Sequence, residues 1–283
     1  MTESSIGALY IVGTPIGNLE DMTLRAVRVL GEADLIAAED TRHTGKLLQH
    51  FQIKTPQLSY HEHNQQQRIP EILRLLQQGK TVALVSDAGM PGISDPGYEL
   101  VKACRAANLP VIPIPGVTAA ITAIAASGLP TDRFTFEGFL PAKGKARRDR
   151  LQAIQSEPCT LIFYEAPHRL EKTLADLADT LGGDRLITTA RELTKRYEEF
   201  WQGTLTEAIA HYQTTSPKGE FTLVVAGAPA DNLLLTSPAE IRAALAALMN
   251  QGLSRSQASR QIAPQTNLSR QQVYKLAIAP ETE

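Results

Sequence analysis

The sequence predicts an α/β protein with two α/β domains and a small helical C-terminal module. Apolar runs typical of buried strands alternate with stretches in which apolar residues recur every three or four positions. This alternation, with nearly continuous apolar strands, is typical of a largely parallel sheet. The length of 283 residues also favours two domains, at roughly 150 residues each. We predict domains at 1–128 and 129–236, and the module at 237–283.

The first half of the chain contains four predicted strands, at 9–15, 35–40, 81–85 and 111–115. Leu24, Val27 and Leu30 have the spacing of a helix that ends at Gly31. A second helix is predicted to begin at Thr41, which would cap it, and a third is predicted around 69–76. Two more are predicted over 97–107, with Asp95 as the N-cap, and over 116–128.

The second half predicts another set of strands and helices. The predicted strands are 133–139, 160–164, 186–190, 200–205 and 221–226, and the later ones are close enough in sequence for antiparallel pairing. A helix is predicted over 167–181, before two glycines. In the C-terminal module, Ser254 and Ser269 are the predicted caps of two short helices.

Composition excludes several classes of protein. With 43% hydrophobic residues the chain is not disordered, and 28 basic against 30 acidic residues give a net charge of −2. Any polyanion site must therefore be a local patch. Cys104 and Cys159 lack metal-ligand spacing and are interpreted as buried apolar residues in a reducing compartment. No leader or membrane span is recognisable, so we expect a soluble, cytoplasmic protein.

Three glycine-containing loops follow predicted strands. The loop at 13–17 lacks the dinucleotide-binding spacing, and Pro15 removes a backbone donor, which favours a tight turn approached closely by a ligand. The loop at 86–97 is longer than an ordinary strand–helix connection and lies where open α/β sheets bind ligands. It is either a binding loop, with Asp87 as acceptor, or an elaborate turn. The small residues after Gly116 admit either another helix or a flat ligand.

These loops carry a resemblance to a known family. Residues 13–19 (GTPIGNL), 39–42 (EDTR), 87–97 (DAGMPGISDPG) and 115–120 (PGVTAA) have the order and spacing seen in the tetrapyrrole methylase superfamily, the class III S-adenosylmethionine methyltransferases. Residues 163–169 (FYEAPHR) and 190–195 (ARELTK) resemble the ribosomal RNA small-subunit methyltransferases of that superfamily. The resemblance covers about 9–227 and extends more weakly to the C-terminus.

The resemblance implies S-adenosylmethionine in a cleft between the two domains, methylation of a cytidine ribose 2′-hydroxyl in the decoding region of 16S rRNA, and a homodimer. It carries the cofactor contacts onto eight positions, although the loop at 87–91 departs from the superfamily's Gly-Asp-Pro core. These positions are Pro15, Ile16, Asp87, Gly89, Ile93, Thr118, Ala119 and Tyr164.

A carboxylate near the acceptor would assist catalysis, because a ribose hydroxyl is a weak acid that must lose its proton. The candidates are Glu39, Asp40 and Glu165. Each has an ordinary alternative: the first two can pair with Arg42 or cap a helix, and the third can open one. The triplet His61-Glu62-His63 does not have zinc-helix spacing, and no metal is expected.

Two basic segments are candidates for RNA binding. The first is Lys143, Lys145, Arg147, Arg148 and Arg150, opposed only by Asp149 and interpreted as a mobile arm. The second is the C-terminal set Arg255, Arg260, Arg270 and Lys275, in a segment resembling a helix-turn-helix with a long turn. The alternatives are a solvated run of charge and a small packing module.

Three functions compete on these observations. An RNA 2′-O-methyltransferase acting on the small ribosomal subunit is favoured. A methyltransferase acting on a tetrapyrrole has less need of the basic segments. A non-enzymatic RNA-binding or ribosome-assembly protein would have a vestigial cofactor cleft. The fold does not separate them, because one fold hosts many functions.

Overall fold

A computed structural model describes residues 6–229, 235, 237–266 and 268–277. The chain forms two compact units, residues 1–227 and 228–283. The first unit contains both sheets, and the second is helical. The predicted α/β class is confirmed. The domain boundaries stay predictions, and residue 236 and both chain ends lie outside the described residues.

The first sheet is entirely parallel and has the order β3-β2-β4-β1-β5. Its central strand has four fully buried residues, as expected for a strand covered by helices on both faces. The carboxyl ends of all five strands share one edge, where the glycine-containing loops emerge. The strands are β1 (Leu9–Val12), β2 (Leu35–Ala38), β3 (Gln57–Ser59), β4 (Val82–Val85) and β5 (Val111–Ile114). The helices are α1 (Leu24–Glu32), α2 (Thr41–His50), α3 (Gln65–Gln77), α4 (Tyr98–Ala106) and α5 (Ala119–Ala126).

The second sheet is mixed and has the order β6-β7-β10-β8-β9. Only β6 and β7 pair in parallel, and the later strands are antiparallel, as predicted. The strands are β6 (Phe134–Phe139), β7 (Thr160–Glu165), β8 (Leu186–Arg191), β9 (Glu199–Thr204) and β10 (Phe221–Val225). The helices are α6 (Gly144–Ala153), α7 (Pro167–Leu181) and α8 (Leu205–Thr214).

Helix α5 joins the two sheets of the first unit. Its buried residues Ala120, Ala123 and Ile124 pack in one cluster with Ile162 of β7 and Val224 of β10. The small side chains predicted to admit either a helix or a ligand therefore lie against the second sheet. This packing brings the amino end of α5 to the region between the sheets.

The helical unit consists of α9 (Pro238–Asn250), α10 (Arg255–Ile262) and α11 (Arg270–Leu276). Its core is formed by Ile241, Leu245, Ala258, Ile262 and Val273. Each helix begins with a capping box, at Ser237, Ser254 and Ser269, so the two predicted caps are confirmed.

Several predicted boundaries are wrong. Asp40, not Thr41, caps α2. Gly97, at φ 150°, is the N-cap of α4, so Asp95 is not its cap. Helix α5 begins at Ala119 with Thr118 as cap, not at Gly116. The expected mobile arm is largely the regular helix α6, and the elements β3 and α8 were not predicted.

Candidate active site

The loops after β1, β4 and β5 are locked together at the edge of the first sheet. Thr14 and Gly89 exchange two backbone hydrogen bonds of 2.9 and 3.0 Å, and the Thr14 hydroxyl donates to the Ser86 carbonyl. A Cβ on Gly13 would lie only 2.7 Å from the Cα of Gly116. Glycine is therefore required at this crossing, which brings the predicted binding loops side by side.

An apolar cavity of about 430 Å³ lies between this edge and the second sheet. Its lining contains six of the eight predicted cofactor positions: Ile16, Gly89, Ile93, Thr118, Ala119 and Tyr164. The other two, Pro15 and Asp87, line a neighbouring cavity of about 500 Å³, together with Lys46 and Lys195. The lining of the second cavity also includes the acidic Glu220. We call the two the apolar cavity and, after its two lysines, the cationic cavity. They share Ile16, Ala88 and Glu220.

Tyr164 forms a fixed wall of the apolar cavity. Its phenol oxygen accepts a 3.2 Å hydrogen bond from the backbone N–H of Ala120, in the first turn of α5. Its ring packs edge-on against Phe136 and Phe139, with centroids 5.0 and 5.7 Å away. Burial raises the pKa of the phenol, so Tyr164 is neutral at physiological pH. The aromatic wall is thus fixed before a ligand enters.

Three acidic residues line the apolar cavity: Asp95, Glu165 and Glu220. Asp95 was interpreted as a helix cap in the sequence, so its place in this cavity was not predicted. Burial, aided by the charge of Glu39, raises the pKa of Asp95 to about 6. A carboxylate whose charge is disfavoured by burial is a good acceptor for a ligand that donates hydrogen bonds or carries positive charge. The loop geometry that places it depends on glycines at positive φ, at 89 and 92.

Glu39 lies at the end of β2 and supports the loop that follows β4. Its Oε2 accepts a 3.2 Å hydrogen bond from the Asp87 backbone N–H, and Asp87 Oδ1 accepts one of 3.2 Å from the Asp40 N–H. Burial, reinforced by the charge of Asp87, raises the pKa of Glu39. Glu39 therefore acts on the cationic cavity through Asp87, which lines it.

The structure conflicts with an acid–base role for the other two candidate carboxylates. Asp40 caps α2 and binds Arg42 with both oxygens, at 2.7 and 3.1 Å, and these hydrogen bonds hold its pKa well below the usual range. The Glu165 side chain is 0% exposed. Its oxygens accept from the Ala166 N–H and the Thr173 hydroxyl, with Arg169 3.3 Å away. The ordinary alternatives, capping and helix opening, account for both residues.

The first basic segment is mostly occupied by internal ion pairs. Arg147 is 4% exposed and bonds Asp176, Thr173 and the Pro141 carbonyl, so the prediction that it binds phosphate is wrong for the folded chain. Lys145 and Arg150 are exposed but form ion pairs with Asp149 and Glu137. Lys143 and Arg148 are exposed and have no ion pair in the described ranges.

The helical unit has its own groove of about 410 Å³, lined by Ser256, Arg270, Gln271, Tyr274 and Lys275. Arg270 donates a 2.9 Å hydrogen bond to Ser256. Arg255, Arg260 and Lys275 are exposed and form no ion pair within the part of the chain that is described. This surface combines cations with the exposed ring of Tyr274.

In the described residues, no group of three or more His, Cys, Asp or Glu side chains is placed to hold a metal ion. Within the same ranges, no helix is both long and apolar enough to cross a membrane.

The first unit combines a parallel and a mixed sheet, with two adjoining cavities at the carboxyl edge of the parallel one. The model of the Tetrapyrrole (Corrin/Porphyrin) Methylases family matches residues 8–209, and the chain belongs to that family. A uroporphyrin-III C-methyltransferase from Thermus thermophilus, solved with S-adenyl homocysteine, shares the fold at a TM-score of 0.55. It is 23% identical, and the match covers 77% of this chain and 97% of that one.

Relatives of higher identity narrow the family. The Ribosomal RNA small subunit methyltransferase I of Synechocystis sp. is 59% identical over 98% of this chain and 100% of its own. The protein of the same name from Escherichia coli O157:H7 is 55% identical over 80% of this chain and 79% of its own. Within the methylases, this chain therefore belongs to the ribosomal RNA small subunit methyltransferase I family.

Proposed function

We propose that this methyltransferase uses S-adenosylmethionine to methylate the ribose 2′-hydroxyl of a cytidine in the decoding region of 16S rRNA, in the small ribosomal subunit. The observation that carries the proposal is the pair of adjoining cavities, one apolar and one cationic, that share Ile16 and Ala88. The apolar cavity suits a methyl donor with an adenine ring, and the cationic cavity suits an acceptor that carries phosphate. The relatives' names support the RNA substrate.

The residues of the apolar cavity fit S-adenosylmethionine. Ile93 and Ala119 offer apolar contact to the adenine ring, while Asp95 offers an acceptor to the ribose hydroxyls or the ammonium group of the cofactor. The cofactor is positively charged at sulfur, and the buried carboxylate of Asp95 complements that charge. Thr118 caps α5 with its hydroxyl, which leaves its backbone to the cavity wall.

The cofactor supplies an electrophilic methyl group: the C–S bond breaks with its electron pair left on sulfur, a C–O bond forms, and the hydroxyl proton is released. The protein aligns donor and acceptor across the shared wall and excludes water, which can supply much of the acceleration. Asp87 lines the acceptor side, and its Oδ2 accepts no hydrogen bond in the described chain, so this oxygen receives the proton. Glu39 is a positioning residue that holds Asp87.

RNA outside the cavity is bound by surface cations, in this proposal. On the first unit these are the unpaired Lys143 and Arg148. Lys145 and Arg150 can bind phosphate only when their ion pairs with Asp149 and Glu137 open. On the helical unit they are Arg255, Arg260, Arg270 and Lys275. The protein acts in the cytoplasm, as a homodimer.

The test is transfer of label from methyl-labelled S-adenosylmethionine to isolated small subunits, naked 16S rRNA and a tetrapyrrole. We expect label in RNA, recovered as 2′-O-methylcytidine after digestion to nucleosides. The matched control is Ala119→Trp, which fills the apolar cavity and should abolish cofactor binding in calorimetry while the protein stays folded. Label on a base or on the tetrapyrrole would reject the proposed reaction, and cofactor binding by the folded Ala119→Trp variant would reject the proposed cofactor site.

A further inference from the structure

We infer that the cationic cavity is the binding site for the acceptor nucleotide, and that Lys46 and Lys195 hold the phosphates on either side of its ribose. This inference rests on the proposed function, since it names the group that accepts the methyl. A cavity of about 500 Å³ is in the size range of small-molecule sites, so it admits one nucleotide and excludes a paired duplex. The acceptor must therefore enter as an unpaired nucleotide.

One wall of the cavity is a face of α2. His43, Lys46 and Leu47 lie at positions i, i+3 and i+4 of this helix and share that face. Lys46 is exposed and forms no ion pair or hydrogen bond among the described residues. Its ammonium is therefore free for an anion, while Leu47 offers an apolar surface to a base. The proposed methyl-transfer step assigns no role to the residues on this face of α2.

The opposing cation is delivered by the turn after β8. Lys195 Nζ lies 2.9 Å from Glu192 Oε1 and 2.8 Å from Glu220 Oε2, with 28% of the side chain exposed. Burial works against the charge, but these two carboxylates raise the pKa of Lys195, so it is an ammonium at physiological pH. The pairs fix the position of the charge at the cavity and leave its remaining donor for a ligand.

The turn that carries Lys195 is strained and tightly docked. Glu192 and Thr194 have positive φ of 50° and 66°, which is costly for residues other than glycine. A Cβ on Gly17 would collide with the side chain of Lys195, so the glycine is needed for the close approach. The Thr194 hydroxyl is buried and has no hydrogen-bond partner in the described chain. Strain and an unsatisfied hydroxyl are tolerated where they place a functional group.

The charged side chains of the cavity lining are two lysines, Lys46 and Lys195, and two acids, Asp87 and Glu220. The two ammonium groups come from different elements, α2 and the turn after β8. Asp87 comes from a third, the loop after β4. A hydroxyl placed at Asp87 is next to Ile16 and Ala88, the residues that border the apolar cavity. The phosphates thus fix the backbone while the hydroxyl faces the methyl donor.

The experiment uses the full-length protein with isolated small subunits. In Lys46→Glu we expect KM for the subunits to rise about 10- to 100-fold, the loss of one charged hydrogen bond, with cofactor Kd within two-fold of wild type. Lys195→Met should behave alike, but it also removes the cation that pairs with Glu192 and Glu220, so Lys46→Glu is the decisive variant. The matched control is Lys102→Glu, the same charge change on the exposed face of α4, where KM should not change.

A second readout needs no catalysis. Lysine acetylation followed by peptide mass spectrometry should show Lys46 protected by small subunits in the absence of cofactor, and Lys102 unprotected. A wild-type KM for Lys46→Glu together with unchanged acetylation of Lys46 would overturn the inference. If wild-type protein transfers no methyl group to RNA, the proposed function fails instead, and the two failures are therefore distinguishable.

Discussion

The two basic segments of the chain look alike in sequence and differ in the structure. The segment at 143–150 has five basic residues and one acidic one, and three of the five bind carboxylates. The segment that forms α10 and α11 has four basic residues, and none of them forms an ion pair within the described ranges. Only the second offers all of its cations to a polyanion.

Two of the three ion pairs in the first segment are formed with acidic residues far away in sequence. Arg147 binds Asp176 of α7, and Arg150 binds Glu137 of β6, whose side chain is only 1% exposed. Helix α6 lies among acidic neighbours, whereas the helical unit has only Glu240 as an acidic residue among those described. A local charge count therefore measures charge but does not show how much of that charge is already paired with carboxylates.

The largest expected effect is on the buried pair. Arg147→Met should lower the free energy of unfolding by about 3 kcal/mol, because it removes one partner of a buried ion pair and two further hydrogen bonds. We expect the lower end of the usual range because Asp176 is 31% exposed. Urea unfolding measures the change.

The matched control for this prediction is Arg148→Met, one position along and exposed, which should change stability by no more than about 0.5 kcal/mol. If Arg147→Met were as stable as wild type but bound RNA more weakly, Arg147 would be a phosphate contact and the contrast between the two segments would fail.

The second effect is on RNA affinity. Arg270→Glu combined with Lys275→Glu should weaken binding to small-subunit RNA and reduce the slope of log K against log salt by roughly 0.7–0.9 for each phosphate that is no longer neutralised. Cofactor affinity should not change. The double variant Lys145→Glu with Arg150→Glu makes the same charge change in α6 and should alter the slope less. Equal slopes would show that the ion pairs of α6 open on binding, which removes the distinction.

Much of the fold could be predicted because its elements have local signals. Helix α7 begins and ends where its apolar spacing and the following glycines indicate. Strand β3 has three residues, none of them fully buried, so it carries no apolar run. Helix α6 was mistaken for a mobile arm because it buries Arg147 beside Leu151, and a buried arginine does not register as an apolar position.

The loops that form the candidate site could be predicted from the sequence, but the roles of individual residues within it could not. The glycine-containing loops are marked by composition, and six of eight cofactor positions line one cavity. The roles of Asp95, Glu165 and Asp40 depend on burial and on hydrogen-bond partners, such as Thr173 for Glu165 and Arg42 for Asp40. The sequence around a carboxylate does not show whether it is buried or already hydrogen-bonded. Lys195 was visible only as part of a family motif.

The smallest expected effect comes from releasing a paired cation. Asp149→Asn removes the partner of Lys145, whose 2.6 Å pair joins side chains that are 81% and 54% exposed. An exposed i,i+4 pair contributes little, so the free energy of unfolding should fall by no more than about 0.5 kcal/mol. RNA binding should tighten slightly and its salt slope should steepen by less than the value for one phosphate, because one more cation becomes available. Salt titration of RNA binding measures the slope, with Asp132→Asn, an exposed acid outside α6, as control. An unchanged slope would mean that α6 does not face the RNA, and that the helical unit supplies the surface contacts.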